Sequence, residues 1–379
     1  MSETNAFSLI SQELTEKLKS MNITTPTKVQ DKIIPEILEG KNLVFQSETG
    51  TGKTFAYLLP LIEKHILSAS ENPNEKHVKL LITAPTFELA SQIKAACQSV
   101  CGIKTALFIG GAPIKRQTEA LKEKPEIVIG TPARLVELIR LKKLKTQYIK
   151  AAVYDEADRL VKKELIDEIK NLTELLPADV QKIACTATVD GNTKRFFSES
   201  VLEILPQEDI LTKNITHWAL HAESRDKIET LRKFLNAEKP EKALIFTSRA
   251  DQVENIYSKL KYKKIPCTAL HAKTDRQERK AAIDRFRSGK ERILITSDLA
   301  ARGLDISGIT HVIQMDLPQD QDFFIHRAGR TARAGKKGIN LLIGDEYELR
   351  NFALLEKKLK ITVYPKELRD GKLQQPEGN

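Results

Sequence analysis

The 379-residue chain has no uninterrupted apolar run near the ~20 residues that a membrane-crossing helix needs, so a helical membrane span is excluded. Its opening, Met1-Ser2-Glu3-Thr4-Asn5, has no basic cluster followed by an apolar core; neither a secretory nor a transit signal is read, and the cytoplasm is the expected compartment. Cysteine is scarce. Cys97, Cys101, Cys185 and Cys267 include no pair at zinc-binding spacing, which points to reduced, structural thiols, with Cys97 and Cys101 on one buried helix face. What is present is ordinary for a water-soluble protein: 41% apolar and 30% charged residues. The length exceeds what one hydrophobic core supports, so two domains are expected. The net charge of +10 favours a polyanionic partner, although a lysine-rich solvated surface gives the same sum.

One stretch organises the rest. Ser47-Glu48-Thr49-Gly50-Thr51-Gly52-Lys53-Thr54 follows the apolar run Leu43-Val44-Phe45 and precedes the helix-like Phe55-Ala56-Tyr57-Leu58-Leu59. Strand, glycine-bearing loop and helix are the context that a phosphate-binding loop requires. Gly50 and Gly52 let backbone amides turn inward, the helix start adds its positive dipole end, Lys53 can reach β- and γ-phosphates, and Thr54 can hold Mg²⁺. The alternative is a chance Gly/Thr turn before a helix. No third glycine follows Gly50 and Gly52, which excludes a dinucleotide fingerprint. Loops of this kind serve kinases, transporters and motors alike.

Upstream, helical periodicity from Phe7 to Met21 is broken at Pro26-Thr27 and resumes through Val29, Ile33, Ile34 and Ile37. Between lies Gln30, whose amide matches the N7 acceptor and N6 donor of adenine, though alone it reads equally as a solvated helix residue. Downstream, strand-like runs at 78–84, 106–108, 127–129, 149–154 and 182–186 alternate with helical patterns, which predicts a parallel sheet wrapped by helices. The fourth of these runs into Asp155-Glu156-Ala157-Asp158. An acid at a strand end places Asp155 beside the Mg²⁺ held by Thr54, and Glu156 can orient and deprotonate the attacking water; a charged helix N-terminus is the other reading.

The alternation pauses near Leu205-Pro206-Gln207-Glu208-Asp209 and resumes with strand-like runs at 217–220, 243–247, 268–271, 293–296, 312–314 and 339–343, without a second phosphate loop. The expected organisation is an ATP-binding domain over residues 1–206, a linker at 207–213, a second domain over 214–368 and a disordered tail at 369–379. Arg330 and Arg333, three apart and on one face if helical, could fork onto a transferring γ-phosphoryl group; a basic surface helix on a nucleic-acid backbone is the other reading.

With these residues assembled, the chain resembles a DEAD-box ATP-dependent RNA helicase of superfamily 2 from about Phe7 to about Leu359. The motifs that carry the likeness are Asp155-Glu156-Ala157-Asp158, Pro26-Thr27-Lys28-Val29-Gln30, Thr186-Ala187-Thr188 and the run His326 to Arg333. The resemblance implies two tandem RecA-like parallel-sheet domains flanking an ATP/RNA cleft, with ATP and Mg²⁺ as cofactors. It assigns Asp305 to the ribose and links Asp158, Thr186, Thr188 and His326 to coupling between ATP state and domain closure. It also places RNA contacts at Pro85, Thr86, Gly110, Gly111, Thr131, Pro132 and Arg134, and at Thr247, Arg249 and Thr296. Hydroxyls, helix starts and exposed glycine backbone suit a sugar-phosphate track that reads no bases.

Phe87, Ile23, Ala133, Ala332 and Arg276 depart from the family pattern at positions usually holding arginine, an aromatic, glycine, glycine and glutamine; Thr186 replaces serine and keeps the hydroxyl. The expected activity is RNA-dependent ATP hydrolysis with local unwinding of short duplexes or remodelling of RNA-protein complexes. An ATP-gated RNA clamp with little strand separation, or a DNA helicase, are the alternatives. The partners implied are RNA without sequence preference and, for targeting, other proteins; no membrane is involved, and a monomer is expected.

Overall fold

Runs of Val, Ile, Leu and Ala alternate with amphipathic helical stretches along the chain; runs such as Leu80–Thr83, Ile127–Gly130, Ala151–Asp155, Ala243–Thr247 and Ile293–Ser297 become strands buried on both faces, while Thr105–Phe108 and Ile215–His221 keep partly exposed positions. The computed structural model describes residues 5–47, 51–68, 77–198, 200–204, 210–271, 276–298, 300–301, 306, 308–332 and 336–376. The chain divides into two compact units, Met1–Gln207 and Glu208–Asn379.

In the first unit, β1 (Leu43–Gln46), β2 (Leu80–Thr83), β3 (Thr105–Phe108), β4 (Ile127–Gly130), β5 (Ala151–Asp155), β6 (Gln181–Thr186) and β7 (Val201–Ile204) form one parallel sheet in the order β3-β4-β2-β5-β6-β1-β7. Alternate side chains serve opposite layers: Leu43, Ile82, Ile129, Val153 and Ile183 join one core cluster, while Val44, Leu81, Val128, Ala152 and Ala184 join the other. Because helices cover both faces, the strands read as unbroken apolar runs rather than alternating ones. The register pairs Gln46 with Thr186 and Asp155 with Cys185. The carboxyl ends of β1, β5 and β6 therefore deliver their next residues to the same edge, where parallel sheets bind ligands.

The second unit holds β8 (Ile215–His221), β9 (Ala243–Thr247), β10 (Thr268–Leu270), β11 (Ile293–Ser297), β12 (His311–Gln314), β13 (Gly338–Gly344), β14 (Val363–Arg369) and β15 (Lys372–Gln374), in the order β10-β11-β9-β12-β13-β8-β14-β15. All pairings are parallel except β14 with β15.

One sequence expectation is corrected here. The segment read as a disordered tail from residue 369 contains β15, which pairs Arg369 with Lys372 across Asp370-Gly371. Both turn residues have positive φ, +50° and +74°, the two-residue hairpin geometry that an Asp-Gly pair favours. Leu368 and Leu373 pack on the core, which supplies the burial a tail would lack. The expected linker at 207–213 ends in a helical turn, Ile210–Asn214, because Leu211 is buried and its carbonyl accepts a hydrogen bond from His217 Nε2 at 2.7 Å. All four cysteines are free and buried, and among the described residues no helix is long and apolar enough to cross a membrane.

Candidate nucleotide site and its supports

The phosphate loop is tied down from both sides. Ser47 N–H donates to the Thr186 carbonyl at 3.0 Å, the Ser47 and Thr51 hydroxyls lie 2.6 Å apart, and Lys53 Nζ donates to the Ser47 carbonyl at 2.9 Å. Gly52 precedes the helix Lys53–Ile62 with a φ of +88°, and a β-carbon there would lie 2.5 Å from Gln30 Nε2. Only glycine satisfies both conditions. The free N–H groups of this helix start offer themselves to an anion. Glu48, Thr49 and Gly50 lie outside the described residues.

Gln30 reaches the loop through a capping box at the start of the helix Lys28–Leu38. Its Oε1 accepts from Thr27 N–H at 2.9 Å, its own N–H donates to Thr27 Oγ1 at 3.4 Å, and its Nε2 donates to the Gly52 carbonyl at 3.2 Å. A primary amide has two donor hydrogens and two acceptor lone pairs, so one of each is left over for a base. Thr27, which the sequence placed in the motif Pro26 to Gln30 without a role of its own, thus sets the orientation of Gln30.

At the end of β5, Asp155 is buried and accepts from Glu156 N–H at 2.9 Å, Cys185 Sγ at 3.0 Å and Tyr57 Oη at 2.8 Å. Burial pushes its carboxyl above the usual range, against the pull of the Lys53 charge. Burial likewise pushes the Tyr57 hydroxyl and the Cys185 thiol well above their ordinary values, with Asp155 adding to both. Glu156 adopts a φ of +52°, which a non-glycine residue holds only under restraint, and its Oε2 accepts from Arg159 Nη1 at 2.9 Å. Asp158 N–H donates to Thr186 Oγ1 at 3.3 Å, Thr186 Oγ1 donates to the Thr188 carbonyl at 2.7 Å, and Thr188 Oγ1 donates to Asp158 Oδ2 at 3.2 Å. Half-buried Thr54 and buried Asp155 are hard oxygen donors. Among the described residues no group of three or more His, Cys, Asp or Glu forms a metal cage. That donor set fits Mg²⁺, which keeps several waters and takes one or two carboxylates together with substrate phosphates.

The remaining candidate residues of this unit sit on loops and helix starts. Thr86 Oγ1 accepts from Leu89 N–H at 3.3 Å and caps the helix Phe87–Val100, beside Pro85. Gly110 and Gly111 are exposed, and buried Gln117 brackets them, bonding the N–H of Ile109 at 3.2 Å and the carbonyls of Ile109 at 2.8 Å and Ala112 at 3.4 Å. Thr131 precedes the helix Pro132–Arg140, with proline at its first position, and Arg134 Nε pairs with Glu137 at 3.0 Å.

The DEAD/DEAH box helicase family model matches residues 27–196, and that of the helicase conserved C-terminal domain matches 226–335. The DEAD-box ATP-dependent RNA helicase CshC of Bacillus cereus is 37% identical over 353 residues, covering 91% of this chain and 88% of that one. The chain belongs to the DEAD-box ATP-dependent RNA helicases. CshA of Bacillus licheniformis is 34% identical over 87% of this chain and 68% of its own. Among solved structures, S. cerevisiae Dbp5 bound to RNA and ADP BeF3 superposes with a TM-score of 0.84 at 26% identity, covering 96% of each chain. Mss116p bound to ssRNA and AMP-PNP gives 0.83 at 25% identity, covering 96% of this chain and 79% of that one.

In the second unit of the helicase, Arg330 is buried and its Nε donates to the His326 carbonyl at 3.3 Å. The helix Gln321–Ala328 stops before it, so the helical spacing expected between Arg330 and Arg333 does not apply at Arg330. Ala332, where the family pattern has glycine, holds a φ of +56°. Thr247 and Thr296 are buried with their hydroxyls donating to Asp316 Oδ2 at 2.8 Å and the Ser297 carbonyl at 3.2 Å, whereas Arg249 is exposed and paired with Asp251. Asp305, Arg333 and the side chain of Arg276 lie outside the described residues. Sequence reasoning passed over Arg327. It is almost fully buried and donates to Asp298, Asp316, Gln314 and Ser248, although it stands inside the run His326 to Arg333.

Proposed function

We propose that this helicase hydrolyses ATP when bound to single-stranded RNA backbone, and in doing so unwinds short RNA duplexes or remodels RNA-protein complexes, acting in the cytoplasm. The observation that carries the reading is the hydrogen-bonded string Ser47–Thr186–Asp158–Thr188, which joins the phosphate loop to the acidic tetrad and to the segment after β6. A change at the phosphates is thereby felt at Thr186 and Thr188. The names of the relatives and the RNA-bound and nucleotide-bound states of Dbp5 and Mss116p support extending the chemistry to RNA here.

In this reading Gln30 selects adenine with its remaining donor and acceptor, and the loop residues Ser47 to Thr54 cradle the phosphates. Lys53 gives up the Ser47 carbonyl for a phosphate oxygen. Thr54 and Asp155 would hold Mg²⁺, which would supply positive charge to offset that of the nucleotide's phosphates. Glu156, freed from Arg159, aligns the attacking water and takes its proton. Arg330 and Arg333 serve the γ-phosphate, and Asp305 serves the ribose. Pro85, Thr86, the Gly110-Gly111 loop, Thr131, Pro132, Arg134, Thr247, Arg249 and Thr296 form the RNA track.

The test measures ATP hydrolysis with RNA, with DNA of the same sequence and with neither, beside strand release from a short duplex. Stimulation by RNA together with strand release is expected. Equal stimulation by DNA would overturn the RNA assignment, and turnover without strand release would replace unwinding with an ATP-gated clamp.

A further inference from the structure

The carboxylate of Asp155 is held by donors from three separate elements. Tyr57 comes from the helix Lys53–Ile62, one turn beyond Thr54, and its hydroxyl donates to Oδ2 at 2.8 Å. Cys185 comes from β6, directly opposite Asp155 in the sheet register, and its thiol donates to Oδ1 at 3.0 Å. The N–H of Glu156 completes the set on Oδ1 at 2.9 Å. An ionised carboxylate offers about four lone-pair positions. Three are taken, which leaves a single position on Oδ2.

We propose that Tyr57 and Cys185 are positioning residues for the divalent cation that accompanies ATP. They fix the rotation of the Asp155 carboxylate so that one lone pair alone meets the cation or a water bound to it. Metal-binding carboxylates depend on such outer partners for their orientation. Thr54 and Tyr57 stand three residues apart on one helix, so the element that supplies the hydroxyl ligand also sets the carboxylate ligand. Cys185 immediately precedes Thr186, whose carbonyl receives Ser47 N–H, so the same strand aligns the loop and the carboxylate. Neither residue is reached by the sequence motifs, because each acts through Asp155 and touches no substrate.

This inference rests on the proposed role of Asp155. The full chain is assayed for affinity toward a fluorescent ATP analogue in EDTA and across a Mg²⁺ titration, with thermal melting as a folding control. Tyr57→Phe removes one oxygen from a well-packed ring. It is expected to bind the nucleotide like the parent in EDTA and to require about tenfold more Mg²⁺ for half-maximal tightening. Cys185→Ala is expected to shift the Mg²⁺ requirement the same way, and Cys185→Ser, which keeps a donor, to restore it. An unchanged Mg²⁺ requirement in Tyr57→Phe overturns the proposal, as does an equal loss of affinity in EDTA and in Mg²⁺, which marks general damage to the pocket. A parent whose nucleotide affinity ignores Mg²⁺ refutes both this inference and the metal role of Asp155. A Mg²⁺-dependent parent that RNA fails to stimulate refutes the RNA reading and leaves this inference standing.

Discussion

Arg327 donates from Nε and Nη2 to the two carboxylate oxygens of Asp298, each at 2.6 Å. The same guanidinium reaches Asp316 Oδ1 at 3.2 Å, Gln314 Oε1 at 3.3 Å and Ser248 Oγ at 2.7 Å, and it stacks over Phe246 at 5.5 Å from the ring centre. One side chain thereby knots together the segments that follow β9, β11 and β12. Burial alone would raise the carboxyl of Asp316, but the Arg327 charge and the bonds from Ser248 and Thr247 outweigh it and hold it below its ordinary value. Arg330, three residues further on, takes its position from the end of the helix that Arg327 anchors.

Removing Arg327 therefore leaves two carboxylates in a desolvated pocket. Arg327→Ala is expected to cost about 3–5 kcal/mol of stability, the usual loss when one partner of a buried charge network is deleted. Urea unfolding of the full chain measures it. Arg327→Lys should not rescue, because an ammonium cannot supply the planar fork that Asp298 accepts. Arg330→Ala should lower the rate of hydrolysis much more than the affinity for ATP. An Arg327→Ala protein as stable as the parent would contradict the buried-network account.

The Thr27 hydroxyl acts on adenine at one remove. Thr27→Ala removes a helix cap, which costs about 1 kcal/mol, and it releases the backbone half of the box that orients Gln30. Weaker ATP binding is expected with little change in the maximal rate, whereas GTP binding, which gains nothing from the Gln30 amide, should stay as it was. A loss of equal size for both nucleotides would show that the effect is on helix stability alone.

Much of this was legible in the sequence because the relevant signals are local. Strands buried on both faces announce themselves as apolar runs, and the phosphate loop and acidic tetrad carry their chemistry in consecutive residues. Long-range partners were invisible for the opposite reason: Tyr57 and Cys185 look like ordinary core residues until the fold brings them to Asp155. Strand β7 was missed because its four residues include Glu203 in an otherwise apolar run; its pairing with β1 comes from the fold. The Asp370-Gly371 hairpin is a different case. Its turn signal was present, and the surrounding Lys, Gln and Glu residues masked it.

The second unit should be acid-sensitive. His217 Nδ1 lies 3.1 Å from Asn340 Nδ2, which must donate because Asn340 Oδ1 receives Gln314 Nε2 at 2.8 Å. Nε2 therefore carries the proton and gives it to the Leu211 carbonyl. A second proton on the ring would set two donors face to face in a dry site, and burial depresses the His217 pKa from 6.5 to about 4. The folded state resists a proton that the unfolded chain accepts, so this stabilisation is complete above pH 6.5 and is lost as pH falls toward 4. The loss is roughly 3 kcal/mol. Urea midpoints measured across that window should fall with acid in the parent, and His217→Gln should flatten the slope by about one proton. A parent whose stability is constant from neutrality to pH 4 would rule out a neutral buried His217.

Gly52 offers a way to separate conformational strain from crowding at the phosphate loop. Its φ of +88° disfavours any β-carbon, and a β-carbon would also lie 2.5 Å from Gln30 Nε2. The left-handed conformation costs a non-glycine residue about 1–2 kcal/mol, and the clash adds to it. Gly52→Ala is expected to abolish detectable nucleotide binding. In Gly52→Ala/Gln30→Ala the crowding is gone and the strain remains, so the double variant should recover phosphate binding in part while losing preference for adenine. The two substitutions would then be strongly non-additive, as expected for side chains in contact. If the double variant binds no better than Gly52→Ala alone, the backbone conformation by itself accounts for the glycine, and Gln30 does not crowd the loop.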